Sequence, residues 1–225
     1  MQGKDILFCL FLALILFGIS FLPYLQPGSA ALFEEDNLIE SLSALGYGLA
    51  TAYAFLKGGI RFVRTRFYFI ALFVFCALRE LDFNRRFTSV GLLKLEFYTG
   101  HTPLAEKLLG SLVLMVLAWI AVTILRRHLI HFSRGFAAHR RLYILSIAGF
   151  LLAALAKTLD GSQRKLKSLG VYLPDTWADY FTYLEESLEL GIPLVILWTL
   201  AVYFRDYHGD EGTPDSVPRN GVIRS

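Results

Sequence analysis

Cysteine is nearly absent from this chain. Only Cys9 and Cys76 occur in 225 residues, both inside apolar runs, which leaves no disulfide framework and no cysteine-based zinc site, and reads both as packing residues. Enzyme signatures are missing too: there is no Gly-x-Ser-x-Gly elbow, no phosphate loop or other nucleotide motif, no His-Glu-x-x-His and no Cys-x-x-Cys. No histidine falls within an expected span, so haem ligation has no support. His128, His131 and His139 fall in a basic loop and read as solvated or headgroup-facing. No basic patch interleaved with exposed aromatics points to nucleic acid. Ser41, Ser43 and Ser187 stand near acids in the sequence, but no base is fixed beside them, and packing is the simpler role.

What the chain has in abundance is apolar surface. Hydrophobic residues make up 55% and mean hydropathy is +0.51, well above a soluble domain of this length. The sequence predicts an all-α, polytopic integral membrane protein, with one domain over 1–208 and a disordered cytoplasmic tail over 209–225. Six transmembrane helices are expected near 6–25, 37–57, 67–86, 108–125, 142–160 and 180–204, a span needing about 20 mainly apolar residues. The first resembles a signal peptide, yet its apolar run is long enough to span, so it is read as an uncleaved helix.

Charge sets the expected orientation. The loops 57–66 and 126–141 hold Lys57, Arg61, Arg64, Arg66, Arg126, Arg127, Arg134, Arg140 and Arg141 and no acid. By the positive-inside rule both loops and both termini are cytoplasmic, and the bias suits a bacterial inner membrane. The two outer connections, about 83–107 and 161–179, are too apolar for solvated loops. They read as short interfacial segments anchored by Tyr98, Tyr172, Trp177 and Tyr180. A short echo, Arg79-Glu80-Leu81-Asp82 with Arg86 and Lys157-Thr158-Leu159-Asp160 with Arg164, marks two similar polar ends on that outer side.

Fourteen of the nineteen acids then face outward, and seven enter the outer leaflet: Glu40, Glu80, Asp82, Asp160, Glu185, Glu186 and Glu189. Against them stand two internal counter-ions, Arg79 and Lys157. An ionised carboxylate at membrane depth costs about 2.5–3.5 kcal/mol on insertion scales, so the group needs a reason. Glu189 lies roughly 13 Å into the last span, one turn below Glu185 and just before Gly191 and Pro193, which are expected to break that helix. Glu40, Ser43, Tyr47 and Thr51 follow helical spacing and form one polar stripe. Arg79 and Asp82 are expected to pair on one face, with Glu80 elsewhere.

Three resolutions of this charge differ in function. The acids take up protons, or a cation neutralises them, or Arg85, Arg86, Lys94, Lys107, Arg164, Lys165 and Lys167 fold down from the outer roof. Hard oxygen ligands admit a divalent cation, with Glu185, Glu189, Glu40 and Asp82 as the metal set. The leading expectation is an outward-facing carboxylate pocket that binds or conducts a cation, with proton coupling as one form of it. One alternative is a metal-dependent, membrane-embedded hydrolase or transferase acting on a lipid or lipid-linked substrate, its phosphate held by the headgroup-facing bases. The other is a non-catalytic subunit of a membrane complex. Membrane lipids are the expected partners, and transport by so small a bundle implies a homodimer or a partner membrane subunit.

Overall fold

The computed structural model describes residues 3–33, 38–81, 97, 99, 102–129, 140–168 and 170–206. Asp82, Arg85, Arg86, Lys94, Tyr98, His131, His139 and the tail 209–225 lie outside the described residues, as does most of the outer connection 83–107. Regular structure within them is helical throughout: α1 (Gly3–Leu25), a 3-10 helix (Pro27–Phe33), α2 (Leu38–Thr65), α3 (Phe67–Glu80), α4 (Leu104–Ile124) with a π-helical turn after it (Leu125–Leu129), α5 (Arg140–Leu159), α6 (Ser162–Ser168) and α7 (Asp175–Asp206).

Four stretches are long and apolar enough to cross a membrane: Gly3–Leu25, Leu104–His128, Arg141–Leu159 and Asp175–Asp206. They coincide with four of the six expected spans. The other two fall short for different reasons. The described part of α3 has 14 residues, about 21 Å at 1.5 Å per residue against a core of ~30 Å. Its 28 residues make α2 long enough, but they carry the polar stripe, and the helix bends at Gly59, whose φ of 62° suits glycine.

The first long helix buries one stripe and leaves its other face apolar and exposed. On α1 the buried positions are Asp5, Leu12, Leu16, Ser20 and Pro23, at helical spacing, while Leu7, Leu10, Leu14 and Leu25 point outward. Exposed apolar side chains of this kind suit contact with lipid tails. The central element is α7, which packs on α5, α2 and α1, while α3 packs on α2 and α4 on α3. Leu12 and Leu16 of α1 meet Val195 of α7 in a core that Phe8, Leu152 and Leu194 complete.

Pro193 does not break α7, contrary to the sequence expectation: the helix runs unbroken from Asp175 to Asp206. Its missing N–H still removes the bond to the Glu189 carbonyl. The ring is buried against α2, where a Cβ on Gly46 would stand 2.8 Å from Pro193 Cβ. Close packing on a small residue holds the helix through the proline.

Side-chain contacts fix which helix ends lie together. At one end Tyr24, near the end of α1, donates its hydroxyl proton to the Thr176 carbonyl at the start of α7 (2.7 Å), and its ring packs on Tyr180 and Tyr183. At the other, Arg141 grips Asp5 through two bonds of 2.7 Å, Nε to Oδ2 and Nη2 to Oδ1, and also bonds Asp206. Asp5 is 1% exposed, and Trp198 stacks on Phe8 beside it. The starts of α1 and α5 thus meet the end of α7. At the same end His128 bonds the Tyr68 hydroxyl (3.0 Å) and packs on Phe69. It is therefore a contact between α4 and α3 instead of the solvated residue expected.

Two stability outcomes follow. Gly46→Ala should lower unfolding stability in mild detergent by about 1–3 kcal/mol, because the Pro193 ring cannot yield. Gly48→Ala, two positions away from that contact with nothing within 4 Å of its added Cβ, should be neutral or stabilising by up to about 1 kcal/mol. Asp5→Ala should cost about 3–5 kcal/mol by leaving Arg141 undercompensated, and Arg141→Met in the same chain should recover most of the loss. Equal effects of the two glycine variants, or no recovery in the Asp5/Arg141 double variant, would contradict these packing assignments.

Candidate functional site

The polar residues of the opposite end converge on the Arg79 guanidinium at the end of α3. Its Nη2 stands 2.9 Å from Glu80 Oε1 and 2.5 Å from Glu189 Oε1 on α7. Among the described residues Arg79 bridges Glu80 and Glu189; the expected partner Asp82 lies outside them. Neighbouring residues on a helix diverge by about 100°, but the long arginine stem lets the guanidinium fold back over Glu80 where α3 ends. Glu80 is buried, its side chain 3% exposed.

Three further acids join them. Glu40, half-buried at the start of α2, acts electrostatically on Glu80 and Glu186. The charged groups acting most strongly on Glu186 are all carboxylates, those of Glu189, Glu40, Glu185 and Glu80. Among the described residues no ion pair reaches Glu186. Glu185 faces the end of α5, where Asp160, Lys157 and Lys165 act on it. The structure therefore brings Glu40, Glu80, Glu186 and Glu189 into one group between α2, α3 and α7, with Glu185 on its flank towards α5.

Asp160 and Lys157 take a different part from the one expected. They pair with each other across one turn, with side chains 38% and 69% exposed, so Lys157 is a surface partner and not an internal counter-ion. An exposed pair of this type contributes little to stability. Just past α5, the Lys157 ammonium holds the Asp160 carboxyl below its ordinary range. Lys165, expected to face headgroups, instead donates to the Lys157 and Thr158 carbonyls (3.2 and 3.5 Å) and caps α5. Lys107 sits in the first turn of α4 beside Glu106.

The α2 stripe divides by hydrogen bonding. Thr51 returns its hydroxyl to the Tyr47 carbonyl at 3.0 Å, and Ser187 on α7 bonds the Tyr183 carbonyl at 2.7 Å, as helix-buried hydroxyls commonly do. Ser43 differs. It is 1% exposed, and among the described residues its hydroxyl has no hydrogen-bond partner. It lies between Glu40 and Tyr47 at helical spacing, and Tyr47, 3% exposed, is in electrostatic contact with Cys76, Glu80, Arg79 and Glu189. A buried hydroxyl without a partner forfeits about 1–3 kcal/mol, which singles it out beside the carboxylates.

Among the described residues no three of His, Cys, Asp and Glu stand close enough to hold a metal ion. Glu40, Glu185 and Glu189 accordingly do not gather as the ligand set the sequence suggested. Sequence reasoning also passed over Cys76, one turn before Glu80 and Arg79 on α3 and so beside the same cluster. It missed Asp5 as well, an acid in the first turn of an apolar helix on the basic side, and that isolation was the available signal. Set against known protein families, curated proteins and solved structures, the chain matches none.

Proposed function

We propose that the chain binds a cation within the outer half of a six-span bundle, and that the cation is a proton passed among Glu186, Glu189, Glu80 and Glu40. The observation that carries this reading is the setting of Glu186. Its strongest charged neighbours are carboxylates, and the nearby guanidinium of Arg79 is already shared by Glu80 and Glu189. Like charges gathered in an apolar bundle are tolerated when some of them exchange protons or hold a cation, and intramembrane carboxylates mark proton relays for that reason. A proton needs no multidentate cage, which agrees with the absence of a three-ligand group among the described residues. The Ser43 hydroxyl can donate to a carboxylate or accept from a carboxylic acid, and its lack of another partner leaves it available for either.

Six spans fit the alternation of ends. The acidic end gathers the end of α1, the start of α2, the end of α3, the end of α5 and the start of α7, while Tyr68 and His128 put the start of α3 and the end of α4 at the other. In this reading α2 and α3 cross with their polar faces towards α7, which is why composition alone does not mark them. The acidic end faces outward and both termini lie on the cytoplasmic side of an inner membrane, since the acid-free basic loops lie opposite the carboxylates.

Proton movement into dye-loaded liposomes containing the purified chain tests the function. Glu186→Gln and Ser43→Ala should each slow it at least tenfold without lowering unfolding stability, since the first relieves like-charge repulsion, the second removes a buried hydroxyl with no partner among the described residues, and neither removes an ion pair. Glu189→Gln should instead leave Arg79 to Glu80 alone and lower stability. Wild-type movement no faster than in empty liposomes, or full movement in Glu186→Gln, would sink the proton reading and favour a purely structural network around Arg79.

Orientation has its own test. A cysteine at Val171, which is 49% exposed beyond the acidic end, should react with a membrane-impermeant maleimide from the outer face of intact spheroplasts. Labelling only after the membrane is opened would reverse the topology.

A further inference from the structure

Apart from the carboxylate group, the acidic end holds a cavity of about 200 Å³ between the α5–α6 turn and the first turns of α7. Leu159 and Ala178 form its apolar side, and Ser162, Arg164, Asp179 and Thr182 its polar side. The turn shapes it: Gly161 has a φ of 59°, and Arg164 Nη2 lies 3.1 Å from the position a Cβ there would occupy. The guanidinium is thereby folded over the turn, against the cavity wall.

Two opposite charges thus line one cavity, and among the described residues neither Arg164 nor Asp179 takes part in a salt bridge. The level of the cavity follows from its neighbours. Trp177 and Tyr180 lie on the same turns of α7 as Asp179, in edge contact with each other, and Tyr24 packs on Tyr180. Trp and Tyr collect where hydrocarbon gives way to headgroups. At ~30 Å³ per water the space equals about seven waters, comparable to the roughly eight heavy atoms of a phosphoethanolamine group.

We propose that this cavity is a binding site for the headgroup of a zwitterionic aminophospholipid, with its phosphate on Arg164 and its primary ammonium on Asp179. Arginine matches phosphate oxygens with paired N–H donors, and a carboxylate accepts the N–H bonds of an ammonium. The same pair discriminates. An anionic headgroup without an amine gains Arg164 but meets the repulsion of Asp179. A choline headgroup has no N–H to give Asp179, and quaternary ammonium is held by cages of aromatic faces instead.

The site is tested with the full chain in mild detergent, incubated with phosphatidylethanolamine, phosphatidylcholine or phosphatidylglycerol of matched acyl chains, lipid retention being read by native mass spectrometry. Wild type should retain phosphatidylethanolamine about tenfold over the other two, the scale of one charge-assisted hydrogen bond. Arg164→Gln should lose retention of all three. Asp179→Asn should keep phospholipid but bind ethanolamine and choline lipids equally. Lys167→Gln, on the same short helix but outside the cavity, should behave as wild type, and all variants should share one unfolding midpoint because these side chains are exposed. Equal retention of the three lipids by wild type, preference for phosphatidylglycerol, an ethanolamine preference surviving Asp179→Asn, or a loss in Lys167→Gln matching that in Arg164→Gln would each overturn the assignment.

Discussion

The contact between Gly46 on α2 and the Pro193 ring on α7 sets the spacing on which the rest of the bundle depends. A side chain at 46 would push α2 off α7, and the carboxylates of Glu40, Glu186 and Glu189 would no longer share one group. The same approach keeps α7 continuous across a proline that costs about 3 kcal/mol in an ordinary helix interior. Small residues bring helices together in an apolar solvent, where hydrophobic burial between helices contributes nothing and van der Waals contact must suffice. Ser43, Ala44, Ala50 and Ala54 extend that small, buried surface along α2.

Each end of the bundle is then closed by one arginine shared between two carboxylates. Arg141 joins Asp5 and Asp206, tying α5 to both α1 and α7. Arg79 joins Glu80 and Glu189, tying α3 to α7. The two differ in what surrounds them. Arg141 is 13% exposed and Asp206 is held by Arg205 as well, so among the described residues the cations at that end match the acids and it reads as a closed structural clasp. Arg79 has a side chain 56% exposed and stands among more acids than one guanidinium can neutralise. Breaking either pair leaves a charge undercompensated, which is costly in low dielectric, but only the second leaves acids to spare.

Much of this was legible from residue order because the membrane imposes a strong rule: charges away from the interface must turn inward. That rule selects Glu40, Glu80, Glu186 and Glu189, which act on one another electrostatically across α2, α3 and α7. It could not choose partners. Helical spacing offers Arg79 only the neighbours on its own helix, whereas its long stem also reaches Glu189 on a helix more than a hundred residues away. Lys157 was assigned inward by its place in an apolar run, yet a lysine near a helix end turns outward and pairs locally. Pro193 was read as a break, because the small residue that accommodates it sits on α2, far away in sequence. Asp5 escaped notice since a single acid near a terminus looks like an exposed end until its arginine is seen.

Glu186 and Glu189 show why proximity within a cluster does not confer one role. They lie three residues apart, nearly one helical turn, yet Glu189 meets a guanidinium at hydrogen-bond distance, while the charged groups that act most strongly on Glu186 are carboxylates. Neutralising Glu189 therefore removes an attraction that holds α3 to α7, and neutralising Glu186 removes a repulsion. The second change can accompany a working cycle without loosening the bundle; the first cannot. The proton site proposed above is therefore Glu186 and not Glu189, whose pairing with Arg79 holds α3 to α7.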